Sequence, residues 1–204
     1  KSDAGTTRLT GAGNNTYSGA TIVTGGTLQI EKATALGSTA AGTTVAAGGT
    51  LALAGTGTTF AAEGLTINGD GVSNAGALRN VAGVNTWTGP ILVNGGLIAT
   101  ANDYSLGAAA SVNSAGGAIT LNGGGLSAAS SFTLNSNRSL ALIGNGSLDA
   151  AAGQTLTYAG LAAGYGTLSK TGLGTVALNA ATNTAGFTLS AGALQVGNAG
   201  ALGK

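Results

Sequence analysis

The stretch that decides the fold is Gly13–Ser38, GNNTYSGATIVTGGTLQIEKATALGS. Seventy residues further on, Gly83–Ala108 reads GVNTWTGPILVNGGLIATANDYSLGA and aligns with it without a gap. Asn15/Asn85, Thr16/Thr86, Tyr17/Trp87, Gly19/Gly89, Val23/Val93, Gly25-Gly26/Gly95-Gly96 and Leu36-Gly37/Leu106-Gly107 coincide. A third, partial copy follows, Gly192-Ala193-Leu194-Gln195-Val196 and then Ala201-Leu202-Gly203. Its lead-in, Lys170-x-x-x-Gly174-Thr175-x-x-Leu178, matches Lys1-x-x-x-Gly5-Thr6-x-x-Leu9. Self-similarity at such intervals is the signature of a repeat architecture, in which each unit buries its apolar face against the next.

A shorter period lies inside the long one. Gly-x-Leu/Ile occurs at Gly26, Gly49, Gly76, Gly96, Gly117, Gly146, Gly166 and Gly192, on average about 24 residues apart. Several of these glycines open an alternating run, as in Leu28-Gln29-Ile30, Leu51-Ala52-Leu53, Ile119-Thr120-Leu121 and Leu194-Gln195-Val196. Period two places alternate side chains on opposite faces of a strand. Between the runs stand Asn14-Asn15, Asn68-Gly69-Asp70-Gly71, Asn94-Gly95-Gly96, Asn122-Gly123-Gly124-Gly125 and Asn145-Gly146. Gly and Asn accept the positive φ that tight corners need. Glycine at this density also disfavours helix.

Short strands, tight corners and a unit of about 24 residues predict an all-β fold. We expect a single-stranded parallel β-helix (β-solenoid) of about eight to nine rungs, continuous over residues 1–204. With rungs about 4.8 Å apart, it would be a rod roughly 40 Å long. Leu28, Leu51, Leu78, Ile98, Ile119, Leu148, Leu168 and Leu194 are then expected to stack as one interior ladder. An antiparallel sandwich also shows short strands at regular spacing, but it has no need of a gapless copy at 70 residues.

Composition narrows the chemistry. Lys and Arg number seven against six Asp and Glu, for a net charge of +1, so nothing here is built to neutralise nucleic-acid phosphates. There is no His and no Cys, which excludes His-based triads, thiolate nucleophiles, zinc knuckles and disulfides. Charged residues make up 6% of the chain and mean hydropathy is +0.34, the opposite of a disordered composition. No apolar run is long enough to span a bilayer. The absence of Met and the opening in mid-repeat lead us to expect a processed or partial chain, a fragment of a longer one.

The motifs Asn15-Thr16-Tyr17-Ser18-Gly19, Gly25-Gly26-Thr27-Leu28-Gln29-Ile30 and Ala35-Leu36-Gly37 resemble the passenger-associated repeat of Gram-negative autotransporters. Later copies depart from it: Trp87 and Thr88 replace Tyr and Ser, and Pro90 follows Gly89. The resemblance implies a β-helical rod exported across the outer membrane. It would touch the membrane only through a C-terminal translocator barrel that this sequence does not include. It further implies a bacterial cell-surface or released module that acts as adhesin, self-association surface or stalk. Its partners would be a host surface or the identical passenger on a neighbouring cell.

No catalytic, cofactor-binding or metal-binding residue is expected. The acids are Asp3, Glu31, Glu63, Asp70, Asp103 and Asp149, and Glu63 with Asp70 is the closest pair suited to glycoside cleavage. We expect both to be solvated corner residues, which leaves a polysaccharide-acting enzyme as the weaker alternative. Asn68-Gly69-Asp70-Gly71 reads as a turn, because the repeated Gly-Gly-x-Gly-x-Asp of calcium-binding rolls is missing. A Ser or Thr nucleophile would need a base, and the amines Lys1, Lys32, Lys170 and Lys204 occur in no Ser-x-x-Lys motif. Tyr17 and Trp87, at equivalent places in the copies, form either an exposed pair that touches a glycan or neighbouring rod, or corner side chains that cover the core. Open strand edges at solenoid ends suggest one further alternative, head-to-tail stacking into an extracellular filament.

Overall fold

A computed structural model describes residues 1–106 and 114–202. Gly107, Ala108, Gly203 and Lys204, used above in the motifs and the amine count, lie outside the described residues. Every hydrogen-bonded strand pair in the sheets is parallel. The chain is a β-solenoid of about eight turns, as its periodicity predicts.

Three stacks of strands form its walls. The first is a nine-stranded sheet running from Thr6–Leu9 to Gly186–Leu189. The second is an eight-stranded sheet running from Thr21–Val23 to Thr182–Asn183. The third wall is a two-stranded piece, Thr59–Phe60 with Thr86–Trp87, and then a four-stranded piece from Phe132–Leu134 to Ala193–Val196. One turn shows the path: Gly146–Ala150 in the first wall, Thr155–Tyr158 in the third, Ala162–Gly164 in the second, then Thr167–Thr171 back in the first. The 70-residue copy spans three turns, since Leu28, Leu51, Leu78 and Ile98 pair in succession.

Alternation along each strand fills the interior. Gly26–Ile30 buries Gly26, Leu28 and Ile30 and leaves Thr27 and Gln29 half-exposed. The second wall supplies two inward columns. One runs through Leu65, Ile91, Ile119 and Leu140, the other through Val23, Val45, Ile67, Val93, Leu121 and Leu142. The third wall contributes Phe132, Leu156, Val176 and Leu194 in register.

The single eight-member ladder requires correction. In the first wall the column is Leu28, Leu51, Leu78, Ile98, Leu126, Leu148 and then Lys170. Ile119 stands in the second wall and Leu194 in the third. Leu168 does belong to the first wall, but it pairs with Gly146, two residues out of line with Leu148. A slip of two keeps every side chain on its own face, so Leu168 stays buried and Lys170 turns inward with it. The error has a plain cause. Gly-x-Leu/Ile accompanies strands of the first, second and third walls alike, at Gly96, Gly117 and Gly192, so the tripeptide does not say which wall it enters. Gly124-Gly125-Leu126 carries the same signal and is the one in register.

Candidate functional site

The two aligned aromatics part company. Trp87 is fully buried and its ring meets Phe60 at 6.5 Å between centroids, with 30° between planes. An outward contact for Trp87 is therefore ruled out, because the third wall turns it into the core with Phe60 paired beside it. Tyr17 lies outside any strand and is 41% exposed. Its hydroxyl shares a 2.7 Å hydrogen bond with Thr21 Oγ1, and its ring lies against Gly37. The surface pair is thus reduced to Tyr17 alone.

The acidic pair also separates. Glu63 and Asp70 sit at opposite ends of the strand Leu65–Ile67. Asp70 is exposed in the corner, as expected, but Glu63 is buried, contrary to its reading as a solvated residue. Glu63 Oε1 accepts a 2.7 Å hydrogen bond from Thr43 Oγ1 of the preceding turn, which gives the inward carboxyl a partner. Burial pushes the Glu63 carboxyl above the usual range, and the Thr43 bond opposes that in part. Among the described residues no three acidic side chains come together as a metal cluster.

The shared lysine lead-in builds the same clasp twice. Lys170 is fully buried, and its Nζ donates to the carbonyl of Thr171, to Gly172 O at 2.8 Å and to Ala191 O at 3.3 Å. Lys1 Nζ donates to Asp3 O and to Gly25 O at 3.2 Å, and pairs with Asp3 Oδ1 at 2.8 Å. Each clasp thus ties a lysine to the corner one turn later, Gly25-Gly26 in one case and Ala191-Gly192 in the other. Gly26 and Gly192 take φ of 62° and 69°. A Cβ on Gly26 would lie 2.4 Å from Gly5 O, and one on Gly192 would lie 2.4 Å from Gly174 O. The Lys-x-x-x-Gly spacing therefore encodes one local arrangement: an ammonium satisfying corner carbonyls, with the glycine of the next turn pressed against them. Burial draws the Lys170 ammonium below the ordinary lysine range, and the Asp149 carboxylate works against that.

Two further polar features stand outside the expectations drawn from the sequence. Arg138, which is 2% exposed, donates from Nε to Asp103 Oδ1 at 2.9 Å and from Nη1 to Leu106 O at 2.8 Å. It ties the short 3-10 turn Asp103–Leu106 to the strand Arg138–Leu142. The second feature is a row of amides along the corner between the second and first walls. Asn94 Nδ2 donates to Asn68 Oδ1 at 2.9 Å, and Asn122 Nδ2 donates to Asn94 Oδ1 at 2.6 Å. The recurring Asn-Gly corners of the sequence carry the signal for a turn, but only the register between successive turns brings their amides together.

These walls and clasps coincide with a known repeat. Residues 1–30 and 168–196 match the family model described as passenger-associated-transport-repeat. Both lysine clasps fall within the matched stretches: Lys1 with Gly25-Gly26, and Lys170 with Ala191-Gly192. The match agrees with an autotransporter passenger repeat domain, and such a repeat implies export to the cell surface or the medium. Neither the curated proteins nor the solved structures gave a match.

Proposed function

We propose that this chain is a non-enzymatic surface module of an autotransporter passenger: a rigid stalk whose sides serve adhesion or self-association. The observation that carries the reading is the uninterrupted nine-stranded wall, which makes a stiff rod. The repeat match supports it, because passenger repeats are exported scaffolds. The partner is a host surface, or a like passenger on a neighbouring cell. The acids give no support to the hydrolytic alternative, since Glu63 is spent on Thr43 inside the core and Asp70 stands across the strand from it.

Display of residues 1–204 on a non-clumping bacterium, or on beads, tests the reading. Aggregation of displaying cells, or their retention on host-cell layers, is the expected result. Cells that neither clump nor attach, while the same chain lengthens the reach of a reporter domain fused beyond it, would leave stalk as its whole role.

A further inference from the structure

The corner row continues past its asparagines. Register places Asn94 beside Asn122, and Leu121 beside Leu142 and Leu142 beside Gly164. The positions just after those pairs are Asn122, Ile143 and Tyr165, so Asn68, Asn94, Asn122, Ile143 and Tyr165 form one line along the rod. Asn94 and Asn122 are exposed, Ile143 is 60% exposed and Tyr165 is 93% exposed. Tyr165 borders a shallow groove of about 540 Å³, lined also by Ala163, Gly164, Thr184 and Ala185.

The display is rigid. Asn122 holds Asn94, and Asn94 holds Asn68, so the amide orientations are fixed before any ligand arrives. The glycines on either side of Tyr165 lie hard against the turn before. A Cβ on Gly164 would come 1.9 Å from Leu142 O, and one on Gly166 would come 1.8 Å from Gly144 O. The tyrosine ring stands in solvent on backbone that cannot back away.

We propose that this row binds an uncharged polysaccharide lying parallel to the rod axis. Three properties favour that ligand. Amide groups spaced about one rung apart, near 4.8 Å, offer paired donors and acceptors to a run of hydroxyls. An exposed aromatic ring gives the apolar face of a sugar something to stack on, with little side-chain entropy to lose. None of the five row residues and none of the groove residues is Lys, Arg, Asp or Glu, and the one charge in the corners that carry the asparagines is Asp70, two residues past Asn68 at the end of the row away from Tyr165. A peptide strand is disfavoured, because strand addition needs unpaired backbone. Here Ile143 N donates to Leu121 O, Tyr165 N to Leu142 O and Ala185 N to Gly166 O.

The proposal deepens the adhesion reading and rests on it, yet it can fail alone, since a stalk without glycan affinity would still hold a reporter away from a cell. The test is a microarray carrying neutral glucose, mannose and galactose hexasaccharides beside sulfated and uronic-acid glycans, probed with the wild-type chain, Tyr165→Ala and Tyr165→Phe. Retention on neutral glycans is expected, reduced at least tenfold in Tyr165→Ala and within about threefold of wild type in Tyr165→Phe. Amide resonances of Asn94, Asn122 and Tyr165 should shift on titration with the retained hexasaccharide. No neutral glycan bound, binding unchanged in Tyr165→Ala, or binding confined to the acidic glycans would each overturn the proposal. The exposure of Tyr165 keeps loss of fold from mimicking loss of binding.

Discussion

Residues that occupy the same place in the repeat do not share the same surroundings. Tyr17 and Trp87 align, yet Trp87 is fully buried and Tyr17 is half out in water. Trp87→Ala should cost about 3–5 kcal/mol, the usual range for emptying a large aromatic from a core, whereas Tyr17→Ala should cost about 1 kcal/mol or less. Urea titrations followed by circular dichroism decide this, and near-equal losses would contradict the assignment. Trp87 is the sole Trp, so native fluorescence should also be blue-shifted and poorly quenched by iodide. Glu63 supplies a pH test. Its folded carboxyl is raised above the unfolded value, so its contribution to stability is fully present below the unfolded pKa. That contribution is lost as pH rises through the folded one. Glu63→Gln retains an acceptor for Thr43 and cannot ionise. It should be more stable than wild type at pH 8 and lose that advantage as pH falls towards 4, measured by urea midpoints across pH. The sequence displayed both residues but not their burial, because burial depends on what the neighbouring turn places beside them.

Elements here are defined as much by corners as by strands. The two lysine clasps place one buried ammonium against several carbonyls, so removing it leaves acceptors without a donor. Lys170→Met should cost about 2 kcal/mol, in line with hydrogen bonds to a charged group. Gly192→Ala should cost about 2–3 kcal/mol or more, since it puts a side chain into left-handed backbone as well as against Gly174 O. Differential scanning calorimetry would measure both, and a neutral Gly192→Ala would refute the close-packed corner. The lysine spacing was visible in the sequence as a lead-in match, although its meaning as a clasp was not. That required the carbonyls of Gly172 and Ala191, 19 residues apart, to meet at one point. Leu126 was missed for a related reason. Its Gly124-x-Leu signal was as good as that at Gly117, and only the length of chain spent on each wall selects between them.

Across the whole molecule, each turn contacts only the turns on either side, so stability is close to a sum of nearest-neighbour terms. Ile98→Ala should therefore cost about 2–5 kcal/mol locally. It should speed hydrogen exchange first in Leu78–Asn80 and in Gly125–Ala128, the strands paired to it. Uniform acceleration over all turns would indicate a single cooperative unit instead. The sequence by itself determined that the chain is a parallel coil, about how many turns it makes, which residue types form corners and strand interiors, and that its two end segments resemble the passenger-associated repeat. These follow from period, since a strand's alternation and a corner's glycine are local demands that each turn must meet again. Tertiary structure alone decided which wall each strand joined, which of two aligned aromatics was hidden, and that Glu63, Arg138 and Lys170 lie inside. Those outcomes depend on register between turns roughly 20 residues apart, and register is set by the packing of whole layers.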